Sequence, residues 1–146
     1  MKYLFIFILF IFPMEMMSQN KYEQLYTDIV HRIYMKLRDS LGINDTIYFL
    51  NNSKKNISYK ILDAHVGAIN VEPADNRIKK NKITDVFGLG YPKWSRNKVT
   101  VTVSLIGASY RSGSLRYTVS GWSVFTYVYD KRTKKYKYLK DKTYGI

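Results

Sequence analysis

Asp63 and His65, in KILDAHV, stand two residues apart, a spacing that puts both side chains on one side of a strand. There a carboxylate can orient an imidazole as a general base. No nucleophile or third group is marked beside them, so a structural role outweighs a catalytic one and the reading leans away from an enzyme. His31 and Asp28 sit one turn apart on a helical stretch, where a solvated surface is far commoner than a metal site. Glu72 and Asp75 lack metal-ligand spacing, two histidines cannot build a multi-histidine zinc site, and there is no cysteine. Gly88 and Gly90, in FGLGYPKW, are not a phosphate loop, because no helix follows them and the basic ending is missing. No cofactor or metal is expected.

The other chemistry-bearing stretch is DKRTKKYKYLK, residues 130–140, which follows FTYVY and sets lysines among tyrosines. A turn centred between Arg132 and Thr133 puts Tyr129 opposite Tyr136, Tyr127 opposite Tyr138 and Phe125 opposite Lys140. Four tyrosines then form a block on one face of a sheet. Ring faces hold planar groups or sugars, and lysines at the edge attract anions.

These residues need elements to position them. In residues 21–41, Tyr22, Leu25, Tyr26, Ile29, Val30, Ile33, Leu37 and Leu41 recur at spacings of three and four, which predicts an amphipathic helix. Asn20 with Glu23 forms a capping box, and Gly42 ends the element. DTIYFLNN and NISYKILDAHVGAINV read as strands, and residues 73–97 as a long loop with a short strand around Ile83 to Phe87. KVTVTVSLIGASY and LRYTVSGWSVFTYVY read as a hairpin with Ser112 and Gly113 at its tip. That register sets Val103 opposite Trp122, Val101 opposite Val124, Val99 opposite Thr126, Ile106 opposite Val119 and Ala108 opposite Tyr117. Apolar pairs match in both halves but on opposite faces, so a twist or bulge is expected near Gly107 and Gly121. The same register makes Val99, Val101, Val103, Trp122, Val124, Val128 and Leu139 the core side. Lys98 and Lys140 are left to edge the block of Tyr127, Tyr129, Tyr136 and Tyr138 as one basic, aromatic binding face.

The start of the chain addresses compartment. MKYLFIFILFIFPMEMMSQN has Lys2, an apolar run from Tyr3 to Phe12, the helix breaker Pro13 and the small Ser18, which together read as a signal peptide over residues 1–18. The run is shorter than the roughly 20 residues needed to span a bilayer. Residues 19–146 then form a single domain, exported to the periplasm or beyond the cell, with no membrane span after processing. The formal charge of +13 favours anionic partners. Export disfavours nucleic acid and leaves an anionic polymer, a glycan or a cell-surface protein.

The export segment ending MMSQN, the YKILD stretch and the terminal hairpin resemble the small exported uncharacterised proteins of Bacteroidetes-type bacteria, a likeness of layout and composition that implies no activity. The order of helix and sheet looks like the cystatin or nuclear-transport-factor-2 type of α+β fold, which hosts both binders and enzymes. The expected fold is therefore α+β, with one long N-terminal helix packed on a bent antiparallel sheet that ends in a three-strand meander. The expected function is non-enzymatic binding through the tyrosine face. The alternative is a small enzyme or small-molecule carrier with a pocket between helix and sheet near Asp63 and His65.

Overall fold

The computed structural model describes residues 22–40, 46–51, 57–70, 85–111 and 114–145. The export segment, the caps read at Asn20 and Gly42, Leu41, Ile83, the carboxylates Glu72 and Asp75, and the hairpin tip at Ser112 and Gly113 lie outside the described residues.

Helix α1 covers residues 22–40 and buries Leu25, Tyr26, Ile29, Val30, Ile33 and Tyr34, while Leu37 is half-buried. Apolar side chains at these spacings lie along one stripe, and the stripe is closed against the sheet. Seven strands make that sheet: β1 (Ile47–Asn51), β2 (Val66–Asn70), β3 (Asp85–Leu89), β4 (Lys93–Ser95), β5 (Lys98–Arg111), β6 (Ser114–Asp130) and β7 (Lys135–Tyr144). Their order is β2-β1-β3-β5-β6-β7, with β4 also paired to β5.

This architecture corrects the expected one. The sheet is mixed, because β1 runs parallel to both β2 and β3, whereas β3, β4, β6 and β7 pair antiparallel. The described residues are mostly strand and the helix covers only about 19 of them, so a seven-strand mixed sheet replaces a long helix on a sheet with a three-strand meander. The parallel pairs arise where the sequence reads only as short apolar runs, and such runs carry no information about strand direction.

Strands β3 and β4 lie end to end along one edge of β5. Between them the Gly90 amide donates to the Thr102 carbonyl at 2.8 Å. A Cβ at Gly90 would meet that same oxygen at 2.8 Å, so the close approach requires glycine. The Gly90 carbonyl in turn accepts a hydrogen bond from the Tyr26 hydroxyl at 2.8 Å, which ties α1 to this junction.

Two irregularities set the faces of the long strands. Leu105 pairs with Gly121 but Ile106 pairs with Val119, so Ser120 is an extra residue in β6. Thr126 pairs with Lys140 but Tyr127 pairs with Tyr138, so Leu139 is an extra residue in β7. From Ser120 to the start of β5, every partner is shifted by one from the simple hairpin register. Val99 faces Tyr127, Val101 faces Phe125 and Val103 faces Ser123, and Val99, Val101, Val103, Phe125 and Tyr127 all join the core under α1. The side read as core, with Trp122, Val124, Val128 and Leu139, is the outer one, where Trp122 and Leu139 are exposed. Beyond the bulge the apolar side of β5 changes, and Ile106 and Ala108 form a second small cluster with Val86, Tyr48 and Leu50 on the outer side.

The register makes a direct prediction. Phe125→Ala should cost about 3–5 kcal/mol, because it empties a buried site, and Val124→Ala under about 1 kcal/mol, because its side chain faces outward. Urea midpoints for the two variants check this, and a larger loss for Val124→Ala would put the opposite face in the core.

Candidate functional site

The four tyrosines are brought together, but on the helix side. Tyr129 packs on Tyr136 with ring centres 5.1 Å apart, and Tyr127 meets Tyr138 edge-on at 5.7 Å. Trp94, delivered by β4 opposite Val99, adds a third ring at 5.8 Å from Tyr129, and its indole N–H donates to the Tyr22 hydroxyl at 3.3 Å. Tyr127 is 1% exposed. Its place is the core beneath α1, where its ring can meet no polymer.

A polar chain closes this end of the helix–sheet interface. The Tyr127 hydroxyl donates to Asp28 Oδ2 at 2.7 Å, and Arg32 Nε donates to the same oxygen at 2.6 Å. The Arg32 guanidinium lies 3.8 Å over the Tyr138 ring, whose hydroxyl donates to Asp141 Oδ1. Asp141 Oδ2 completes the chain by pairing with Lys36 Nζ at 3.1 Å. Burial pushes the Tyr127 hydroxyl well above its usual range, and the bond to ionised Asp28 adds to the shift, so it remains a neutral donor. Burial alone would raise the Asp141 carboxyl. The hydrogen bond from Tyr138 and the charge of Lys36 outweigh it and hold the carboxyl below its ordinary value.

Lys98 and Lys140 lie on the opposite side of the sheet from these tyrosines. The six residues read as one surface are thus split between two faces, because Ser120 and Leu139 each move the register by one. What the lysines join instead is a set of cross-strand rows on the open outer face. Lys93, Thr100, Thr126 and Lys140 form one row, and Ser95, Lys98, Val128 and Lys137 form the next. Thr102, Val124 and Lys142 make a third row, and Ser104, Trp122 and Tyr144 a fourth. Trp122 and Tyr144 are 44% and 39% exposed, with near-parallel rings 5.7 Å apart, and Lys142 Nζ sits 5.0 Å from the centre of the Tyr144 ring.

Charge on this face is one-sided. Strands β4–β7 carry only two carboxylates, Asp141 on the helix side and Asp130 at the far end, where it pairs with Lys137 at 3.4 Å. Among the described residues Lys93, Lys98, Lys140 and Lys142 have no carboxylate partner. Asp130 is also occupied by the backbone amides of Arg132 and Thr133, at 2.9 and 3.4 Å, which hold its carboxyl below the ordinary value. Lys93, Lys137, Lys142 and Tyr144 were not among the residues singled out from sequence, and Trp122 was read as core. The signal for the lysines was there in KYKYLKDK, where they alternate with tyrosines and therefore line the face that the tyrosines leave.

Asp63 and His65 form no dyad. Asp63 Oδ1 accepts the backbone amide of His65 at 2.9 Å in a turn before β2, so strand alternation does not apply to them. The exposed His65 ring lies parallel to Tyr34 at 6.4 Å. A cavity does exist between α1 and the sheet, but it lies under the C-terminal half of the helix and neither Asp63 nor His65 lines it. Among the described residues no cluster of three or more His, Asp or Glu could hold a metal ion, and no helix is long and apolar enough to cross a membrane. No protein-family model, curated protein or solved structure matches the chain.

The polar chain predicts acid sensitivity with a definite sign. A carboxyl held below its ordinary value of 3.8 stabilises the fold above that pH and ceases to do so as the pH falls through the folded-state value. Asp141→Asn should cost about 1 kcal/mol at pH 7. The gap should close below pH 3.8, which thermal melts of both proteins between pH 7 and pH 2 will measure.

Proposed function

We propose that the protein is an exported, non-enzymatic domain that holds an anionic polysaccharide on the outer face of β4–β7. The observation that carries this reading is the block of cross-strand rows in which Lys93, Lys98, Lys140 and Lys142 flank threonine and valine with no carboxylate between them. Neighbouring strands are about 4.8 Å apart, so a four-strand row spans about 14 Å, enough for a linear polymer to meet several charges at once. The lysine charges act over a Debye length of about 8 Å at physiological salt, so the face attracts anions before contact. Threonine hydroxyls between the charges supply donors and acceptors for sugar hydroxyls. The exposed Trp122 and Tyr144 rings offer an apolar platform at one end, of the kind on which a sugar ring can lie. The chain's formal charge of +13 and the signal-like residues 1–18 support the same reading.

Heparin serves as the sulfated polysaccharide probe. The protein should be retained on it at low salt and released as salt rises, and the triple change Lys98→Glu, Lys140→Glu, Lys142→Glu should release it at much lower salt with its melting temperature kept. Lys131→Glu with Lys134→Glu, at the β6–β7 turn, is the control for charge alone. Retention that survives the triple change, or that falls equally with the turn pair, overturns the assignment to this face.

A further inference from the structure

The helix-facing side of the sheet changes in bulk from one end to the other. Toward the β6–β7 turn it carries Tyr127, Tyr129, Tyr136, Tyr138 and Trp94, which fill the space under the first half of α1. Toward the Ser120 bulge the corresponding β6 and β7 positions are Ser123, paired with Thr143, and Gly121. Helix side chains do not grow to compensate, since Ile33, Leu37 and Ser40 lie above this end. A cavity of about 280 Å³ results, with Phe87, Val103, Leu105 and Phe125 as its sheet-side walls. At Gly121 the wall is bare backbone, because a Cβ there would run into the Gly145 carbonyl oxygen.

Such a space is poor for water and good for hydrocarbon. Its single charged wall residue, Lys36, is already paired with Asp141, and Ser40 Oγ donates to its own helix at the Lys36 carbonyl. The remaining polar feature is one hydroxyl pair, Ser123 Oγ and Thr143 Oγ1, 2.9 Å apart. Water needs two to four polar partners to sit stably, and an engineered apolar cavity of about 150 Å³ stays dry and takes up benzene. The space here is nearly twice that volume, and its walls lack dispersion partners until something apolar fills it.

We propose that this cavity is a binding site for a neutral, hydrocarbon-rich small molecule, such as a medium acyl chain or a two-ring aromatic, with one polar group placed at the Ser123 and Thr143 hydroxyls. It lies under the helix, on the other side of the sheet from the lysine rows, with Trp122 as the one residue that both lines it and belongs to those rows, and the two readings are tested with different probes.

The test uses N-phenyl-1-naphthylamine, a neutral probe that fluoresces in apolar surroundings. The wild-type protein should bind it saturably at one site per chain, decanol should displace it, and heparin should not. Ser123→Leu and Leu105→Trp each push bulk into the space and should weaken the probe by at least about tenfold. Circular dichroism and a cooperative thermal melt will show that these variants are folded. The proposal is overturned if the wild type shows no saturable binding, if heparin displaces the probe, or if a folded filling variant binds it as well as the wild type does.

Discussion

Side chains alternate along a strand, so one extra residue exchanges the faces of everything beyond it. Ser120 is such a residue in β6, and Leu139 repeats the device in β7. Without Ser120 the long hairpin would turn Trp122 and Val124 toward the helix and Phe125 and Tyr127 toward solvent. With it, the apolar stripe of α1 meets Val99, Val101, Phe125 and Tyr127, and the lysines of β7 are left on the open side. Both binding surfaces proposed above depend on that choice of face. Ser120 is itself held, through a 3.2 Å hydrogen bond from its hydroxyl to the Leu105 carbonyl at the point where the pairing shifts.

Asp28 and Asp141 show how a strongly basic chain uses its few acids. Lysines and arginines number 24 against 11 carboxylates, and two of those few acids hold elements together. Asp28 receives Tyr127 from the sheet and Arg32 from its own helix, and Asp141 receives Tyr138 from its own strand and Lys36 from the helix. Arg32 links the two by lying over the Tyr138 ring. Each is an anion between a phenol and a cation, and together they fasten α1 across β6 and β7. With these acids drawn to the helix side, the outer face of β4–β7 keeps only Asp130, at its far end, to offset its lysines.

Helix α1 was legible from its apolar spacing because helical period depends on nearby residues alone, and its stripe was read correctly as far as Leu37. The near half of the β5–β6 hairpin was legible too, with Ile106 facing Val119 and Ala108 facing Tyr117. The requirement for an irregularity near Gly121 was visible in the switch of apolar parity, yet its direction was not. Whether the extra residue falls in β5 or β6 depends on which side α1 covers, and that is a property of the whole fold. The same missing fact divided the candidate site, since Tyr127 and Lys98 share a face only if neither strand is bulged. Strand direction in β1 and β2 was invisible for a different reason: a short apolar run marks a buried segment without fixing which neighbour it pairs with.

Bulk is distributed over the inner face in a way that packing alone does not explain. Aromatic rings crowd one end, Ser123 and Gly121 thin the other, and α1 runs over both. A helix could close the thin end by tilting down onto it. Two ties join the helix to the sheet, Tyr26 to the Gly90 carbonyl near one end and Lys36 to Asp141 in the last turns. The rings at the crowded end set its height there, and the space beneath Ile33 and Leu37 lies at the thin end. Because interiors are close-packed, an open apolar space of this size weakens the fold unless an occupant offsets the lost contacts. On the outer side the argument runs through charge instead of volume. Lys93, Lys98, Lys140 and Lys142, which have no carboxylate partner among the described residues, repel one another across the rows, and an anion lying among them would relieve that repulsion. Each side of the sheet thus carries a local destabilisation of a different physical kind, and under the two proposals each kind is relieved by a different class of ligand.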